Sequence, residues 1–117
     1  MFESVEHNPY LCDFYEDMTR WGFHLQIYFL NSRFSQLNVI QHSEKTTIQD
    51  CTIYEDAFVF IANLHRSGYI SERNSLSYPD IFNLMINFLR PPDTLIYLKA
   101  DILKLVQQIE KRGRNYE

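Results

Sequence analysis

Apolar residues recur along the first forty positions at helical rather than strand spacing. Tyr10, Phe14 and Met18 stand four apart behind Asn8-Pro9, which predicts a helix with proline in its first turn. A longer helix is predicted from about Trp21 to Gln41, dense in apolar residues on more than one side and therefore well buried. Lys45 to Cys51, with a β-prone Thr-Thr-Ile core, predicts a short strand that gives way to polar residues at Asp50. Ile53 to His65 predicts a helix broken by Ser67-Gly68. Tyr78-Pro79-Asp80 opens another that runs to about Leu89 and stops at Pro91-Pro92-Asp93. Thr94 to Leu98 is a continuous apolar run between turns, the pattern of a strand covered on both faces of a parallel sheet. Asp101 begins the last helix, which carries Lys104, Lys111 and Arg112 toward a basic end.

Strand, helices, strand, helix is the order of an α/β domain with crossover connections. Two strands are too few to build that sheet. No repeat, low-complexity tract or linker divides residues 1–117, so the expectation is one partial domain, mostly helical, with about two strands.

Composition narrows the function classes. Hydrophobic residues make up 45% of the 117 positions and aromatics 15%, which argues against disorder. A formal charge of −4 argues against a surface that grips nucleic-acid backbone. Small anionic ligands stay open, because a local arginine cluster needs no global basicity. Two cysteines, no apolar run of the roughly 18 residues a membrane span needs, and no signal peptide lead to the expectation of a cytoplasmic protein without a membrane partner.

Candidate chemistry gathers at four places. The closing Lys111-Arg112-Gly113-Arg114-Asn115-Tyr116-Glu117 sets two guanidiniums two residues apart beside a carboxylate, and Arg forks grip phosphate oxygens bidentately. A basic helix end is also what the helix dipole favours in any protein. Gln26 and Arg33 are seven residues apart, two helical turns, so both project from one face; ordinary polar residues on a solvated stripe show the same spacing. Asp56 and Phe60, four apart, share a face too, as a carboxylate above a ring does in many helices. Tyr15 taken alone is more often a half-buried core aromatic than a ligand contact.

Five stretches carry a family resemblance in register: Glu3-Ser4-Val5-Glu6-His7-Asn8-Pro9-Tyr10-Leu11, Phe14-Tyr15-Glu16-Asp17, Leu25-Gln26-Ile27-Tyr28 through Ser32-Arg33, Asp50 through Asp56, and Lys111 to Glu117. Together they resemble the bacterial deoxyadenosine/deoxyguanosine/deoxycytidine kinases, and the resemblance covers nearly the whole chain. It implies a P-loop-kinase-like three-layer α/β fold with a parallel sheet, and ATP-dependent phosphorylation of a deoxynucleoside 5′-hydroxyl with Mg²⁺. It further implies that Glu3 is the general base, that Tyr15 and Glu117 bond the sugar 3′-hydroxyl, and that Gln26 reads the base edge. Arg33 with Asp56 matches the charged pair at the far end of the base, and Phe60 the ring on which the base stacks. Asp50 matches the acidic residue that helps hold Mg²⁺, and Arg112 and Arg114 match the lid arginines that hold phosphates.

Two departures limit what the resemblance carries. The family's Gly-rich phosphate loop, with its Lys and Ser/Thr, finds no match, since the glycines are Gly22, Gly68 and Gly113, none in such a context. The implied position of that loop is upstream of Glu3. The family's acidic-Arg-Ser motif reads Asp50-Cys51-Thr52, which replaces the charge-stabilising Arg with a thiol. The expectation is therefore a partial kinase domain, inactive alone, that binds a purine or cytosine deoxynucleoside and forms a homodimer or pairs with a related kinase. The alternative is a non-catalytic nucleoside-binding or dimerisation module that pairs with a full-length kinase.

Overall fold

The computed structural model of the chain describes residues 8–113, and among these the regular structure is helical throughout. Helix α1 (Leu11–Glu16) is introduced by Asn8, whose Oδ1 accepts from the Tyr10 N–H at 2.9 Å. It ends two residues before Met18 because Asp17 leaves the helical region, at φ −145° and ψ 87°. The same residue caps α2 (Met18–Gln41), its carboxylate accepting from the Arg20 N–H at 3.1 Å. Met18 thus starts the second helix rather than completing a stripe on the first, and α2 begins three residues earlier than its apolar density indicated.

Helix α2 is the spine, about 36 Å long at 1.5 Å per residue. It is buried along a single stripe, Gly22, Leu25, Gln26, Leu30 and Arg33, rather than on several sides as expected. Next come α3 (Ile53–Glu55), a π-helical segment (Asp56–Phe60) and α4 (Ile61–Arg66), which form one continuous helical run. The π turn is fixed by the Ile61 N–H donating to the Asp56 carbonyl five residues back. Helix α5 (Glu72–Ile86) then packs against α2, α4 and the π segment. Its core with them consists of Leu30, Ile53, Ile61, Ile70, Tyr78 and Phe82. Phe82 meets the rings of Tyr54 and Phe58 edge-on at 5.9 and 5.5 Å. At the far end Gln41 ties α2 to the end of α5, donating to the Phe88 carbonyl at 2.9 Å and accepting from the Arg90 N–H at 3.2 Å.

Three expectations are corrected. Helix α5 does not start at Tyr78-Pro79 but six residues earlier, where the Ser71 hydroxyl accepts from the Asn74 N–H and caps the first turn. Pro79 lies inside the helix, tolerated although it offers no N–H to the turn before it. Lys45 to Cys51 is not a strand: Ser43 and Thr47 turn local hydrogen bonds onto Lys45, and Cys51 takes φ +55°, which ends any extended run. Thr94 to Leu98 is not a strand either. A strand exists only where a neighbour takes up its N–H and C=O groups, and none runs beside it among the described residues. Leu95, Ile96, Tyr97 and Leu98 are 73 to 86% exposed. Helix α6 (Ile102–Arg112) follows as expected, begun at Asp101 and closed by Gly113 in the left-handed region at φ 63°. It buries none of its residues. No helix among the described residues is long and apolar enough to cross a membrane.

Candidate functional site

The buried stripe of α2 carries two residues that do not belong in an apolar core, Arg33 and Gln26, and they are held differently. Arg33 is 2% exposed, and its Nε donates to Oδ2 of Asp56 at 3.1 Å. Asp56, also 2% exposed, opens the π segment, so the pair bridges two elements 23 residues apart in sequence. The Arg33 guanidinium lies over the Phe29 ring, 5.7 Å from its centroid. Two turns up the same face Gln26 is 4% exposed, and its Oε1 has no hydrogen-bond partner. Burying an amide oxygen without a partner costs free energy, so this atom is disposed to accept from something outside the described chain.

These three polar groups line one side of α2 over about 10 Å, the length of two helical turns. An amide offers a donor and an acceptor, a guanidinium several donors, and a carboxylate several lone pairs. The combination suits a flat heteroaromatic ligand with donors and acceptors along its edge.

The other predicted residues within the described range are more exposed. Phe60 follows Asp56 by one turn but keeps 45% exposure. Tyr15, at 38%, stands on α1 with its ring edge-on to Phe14 at 5.3 Å. Asp50 is exposed in a bend before α3, and no group of three possible metal ligands occurs among the described residues. Mg²⁺ commonly takes one or two carboxylates with waters and substrate phosphates, so Asp50 fits as a single ligand and no more. Arg112 ends α6 on the exposed surface. Glu3, Arg114 and Glu117 lie outside the described residues.

Two features of this region were not foreseen from the sequence. Thr52 and Glu55 form a capping box: the Glu55 carboxylate accepts from the Thr52 N–H at 2.8 Å and from the Thr52 hydroxyl, and the Thr52 hydroxyl accepts from the Tyr54 N–H. Burial alone would raise the Glu55 pKa, but the Thr52 hydroxyl, backbone N–H groups and the Arg33 charge together hold it below its ordinary value. The Thr-x-x-Glu spacing was the available signal. The second is Tyr78, wholly buried, with a hydroxyl that has no hydrogen-bond partner. Burial pushes its phenol well above the usual range, the Asp56 charge adds to this, and Arg33 opposes it. Nothing in the local sequence distinguishes it from a core aromatic.

Comparison with known proteins places these helices. The family model described as deoxynucleoside kinase matches residues 1–117. A deoxyadenosine/deoxycytidine kinase of Bacillus subtilis is 42% identical over 98% of this chain and 54% of its own length. A deoxyadenosine kinase of Dictyostelium discoideum is 43% identical over 99% of this chain and 47% of its own. A solved deoxyadenosine kinase from M. mycoides, with products dCMP and dCDP bound, superposes with a TM-score of 0.87 at 32% identity, over 97% of this chain and 57% of that one. The chain thus spans about half the length of the relatives it matches. The expected P-loop-kinase-like α/β fold stands, and the regular structure of the described residues is helical.

Proposed function

The chain belongs to the deoxynucleoside kinase family, and from that premise we propose that it carries the nucleoside side of a kinase site and binds a purine or cytosine deoxynucleoside. The observation that carries this reading is the buried Arg33–Asp56 pair on the same face of α2 as the unsatisfied Gln26 amide. Gln26 is assigned the base edge, Arg33 and Asp56 the far end of the base, and Phe60, with its ring still open, the stacking face. Tyr15 and Glu117 are assigned the sugar 3′-hydroxyl and Glu3 the 5′-hydroxyl proton. Two conditions let such a site discriminate: the polar groups are desolvated before the ligand arrives, and each leaves a penalty when its partner is missing.

The family's reaction is ATP-dependent phosphorylation of the deoxynucleoside. ATP with Mg²⁺ would supply the phosphoryl group, with Arg112 and Arg114 assigned to hold phosphate oxygens and Asp50 to offer one metal ligand. Cys51 stands where the motif calls for a guanidinium, and the chain's three glycines form no phosphate loop. We therefore assign this chain nucleoside binding without turnover of its own, as one partial domain over residues 1–117, in a cytoplasmic setting and as a homodimer or heterodimer with a related kinase. The alternative, a non-catalytic module that pairs with a full-length kinase, is favoured by the uncovered apolar faces of α6 and Thr94–Leu98.

Calorimetric titration with deoxyadenosine, deoxycytidine and deoxyguanosine tests the binding reading. Binding of at least one, weakened by about 1–3 kcal/mol in Gln26→Ala, is expected because the base-edge groups lose their partner. Unchanged affinity in that variant would remove Gln26 from the site. Phosphorylation of any of the three by the purified chain, above a no-enzyme control and constant through repurification, would overturn the assignment of inactivity.

A further inference from the structure

Tyr78 is the largest wholly buried side chain and carries a polar atom without a partner. Its ring packs with Leu30, Ile53, Ile61, Ile70 and Phe82, so the aromatic part is accounted for as core. The hydroxyl is not. Leaving it idle there is unfavourable relative to a Phe of the same shape. The ring comes from α5, which packs against both elements that supply the buried ion pair, α2 with Arg33 and the π segment with Asp56. Both charges of that pair act on the phenol. Arg33 donates to Asp56 from Nε to Oδ2, and a carboxylate, with about four lone-pair sites, is commonly held by several donors at once.

We propose that Tyr78 is a positioning residue of this site: its hydroxyl donates toward the Asp56 carboxylate through one buried water, and fixes the orientation in which Asp56 meets a nucleobase. The bridge satisfies the hydroxyl and adds a second hold on the carboxylate beside its guanidinium. It also makes the α5 packing part of ligand recognition, although Tyr78 itself is too deep to touch the ligand. The consequence for a nucleoside rests on the binding function proposed above; the link between Tyr78 and Asp56 does not.

The test is a double-mutant cycle on unfolding in urea, without ligand, for the wild-type chain, Tyr78→Phe, Asp56→Asn and the double variant. A bridged hydroxyl gives non-additive effects, with coupling of at least about 5-fold in the folding equilibrium constant. Additivity within about twofold, or a Tyr78→Phe chain that is more stable than wild type, overturns the proposal. Where Asp56→Asn does not fold, the ¹³C resonance of the Asp56 carboxyl at pH 7 decides. Tyr78→Phe shifts it, while Ile61→Val, a packing lesion in the same core, leaves it in place; no shift, or equal shifts, refute the bridge. With deoxyadenosine, Tyr78→Phe is expected to lose about 10-fold in affinity, the range of one hydrogen bond to a charged group. A wild-type chain that binds no nucleoside refutes the binding function, while the cycle and the resonance still decide whether Tyr78 is linked to Asp56.

Discussion

At the scale of single residues, the Arg33–Asp56 pair is informative because it is a poor way to stabilise a core. Desolvating two charges consumes most of what their attraction returns, so a well-packed apolar pair would serve stability as well or better. In the binding reading proposed above, its chemical use is to present a dry, oriented charge pair on the face of α2 that also carries Gln26. Removing one partner is a different matter from removing both. Arg33→Met takes the guanidinium away from a buried carboxylate, and is expected to lower unfolding free energy in urea by about 3–5 kcal/mol. Arg33→Met with Asp56→Leu should recover most of that loss while nucleoside binding stays abolished. If the double variant were as unstable as the single one, the pair would be structural rather than a binding feature of neutral stability. The seven-residue spacing of Gln26 and Arg33 was legible in the sequence, since helical period alone puts both on one face. Their burial was not, because spacing does not say which face meets the core.

Among the elements, the helical run from Ile53 to Arg66 is anchored at its start by the Thr52–Glu55 capping box, one turn from Asp56. Thr52→Ala is expected to cost about 1 kcal/mol by thermal unfolding, the usual loss for a missing cap. Glu55 adds a pH dependence with a definite sign. Its folded pKa lies below the ordinary value of 4.5, so its stabilisation is fully present above that value and is lost as pH falls through the lower folded value. Glu55→Gln should therefore flatten the stability profile on the acid side of 4.5 and leave its shape near neutrality unchanged. An acid limb identical in both proteins would show that the carboxylate is not held as the structure shows. Elements were otherwise readable where local signals agreed, as in α6 between Asp101 and Gly113. The start of α5 was obscured because Pro79 has the character of a helix opener while Ser71 does the capping. The run Thr94–Leu98 has the composition of a strand, but pairing is a non-local property that composition cannot supply.

For the molecule as a whole, two regions differ in how they are held. Residues from α2 to Leu89 share one core, with α1 packed on α2, and Gln41 closes its far end by hydrogen bonds to Phe88 and Arg90. Beyond them, α6 buries nothing, although it presents Ile102, Leu103, Leu105, Val106 and Ile109. Leu95, Ile96, Tyr97 and Leu98 add to that uncovered apolar surface, and patches of this kind mark surfaces meant to be covered. Pro91, Pro92 and Leu95 reach back, lining a shallow cleft with Thr52, Tyr54, Glu55 and Val59. A chain ended after Arg90 should therefore unfold within about 4 °C of the full chain, since less than about 1 kcal/mol of packing is removed. The same truncation should abolish most of the binding of a hydrophobic dye and any concentration-dependent self-association seen by light scattering. Circular dichroism, dye fluorescence and scattering on the two lengths check this together. Loss of the cooperative transition on truncation would mean that the last helix packs into the core in solution. Retained dye binding would place the exposed apolar surface on α2 and α5 instead. The expected outcome divides the molecule by physical role: a bundle that shapes the nucleoside site, and a terminal amphipathic segment whose burial energy becomes available only against a further surface.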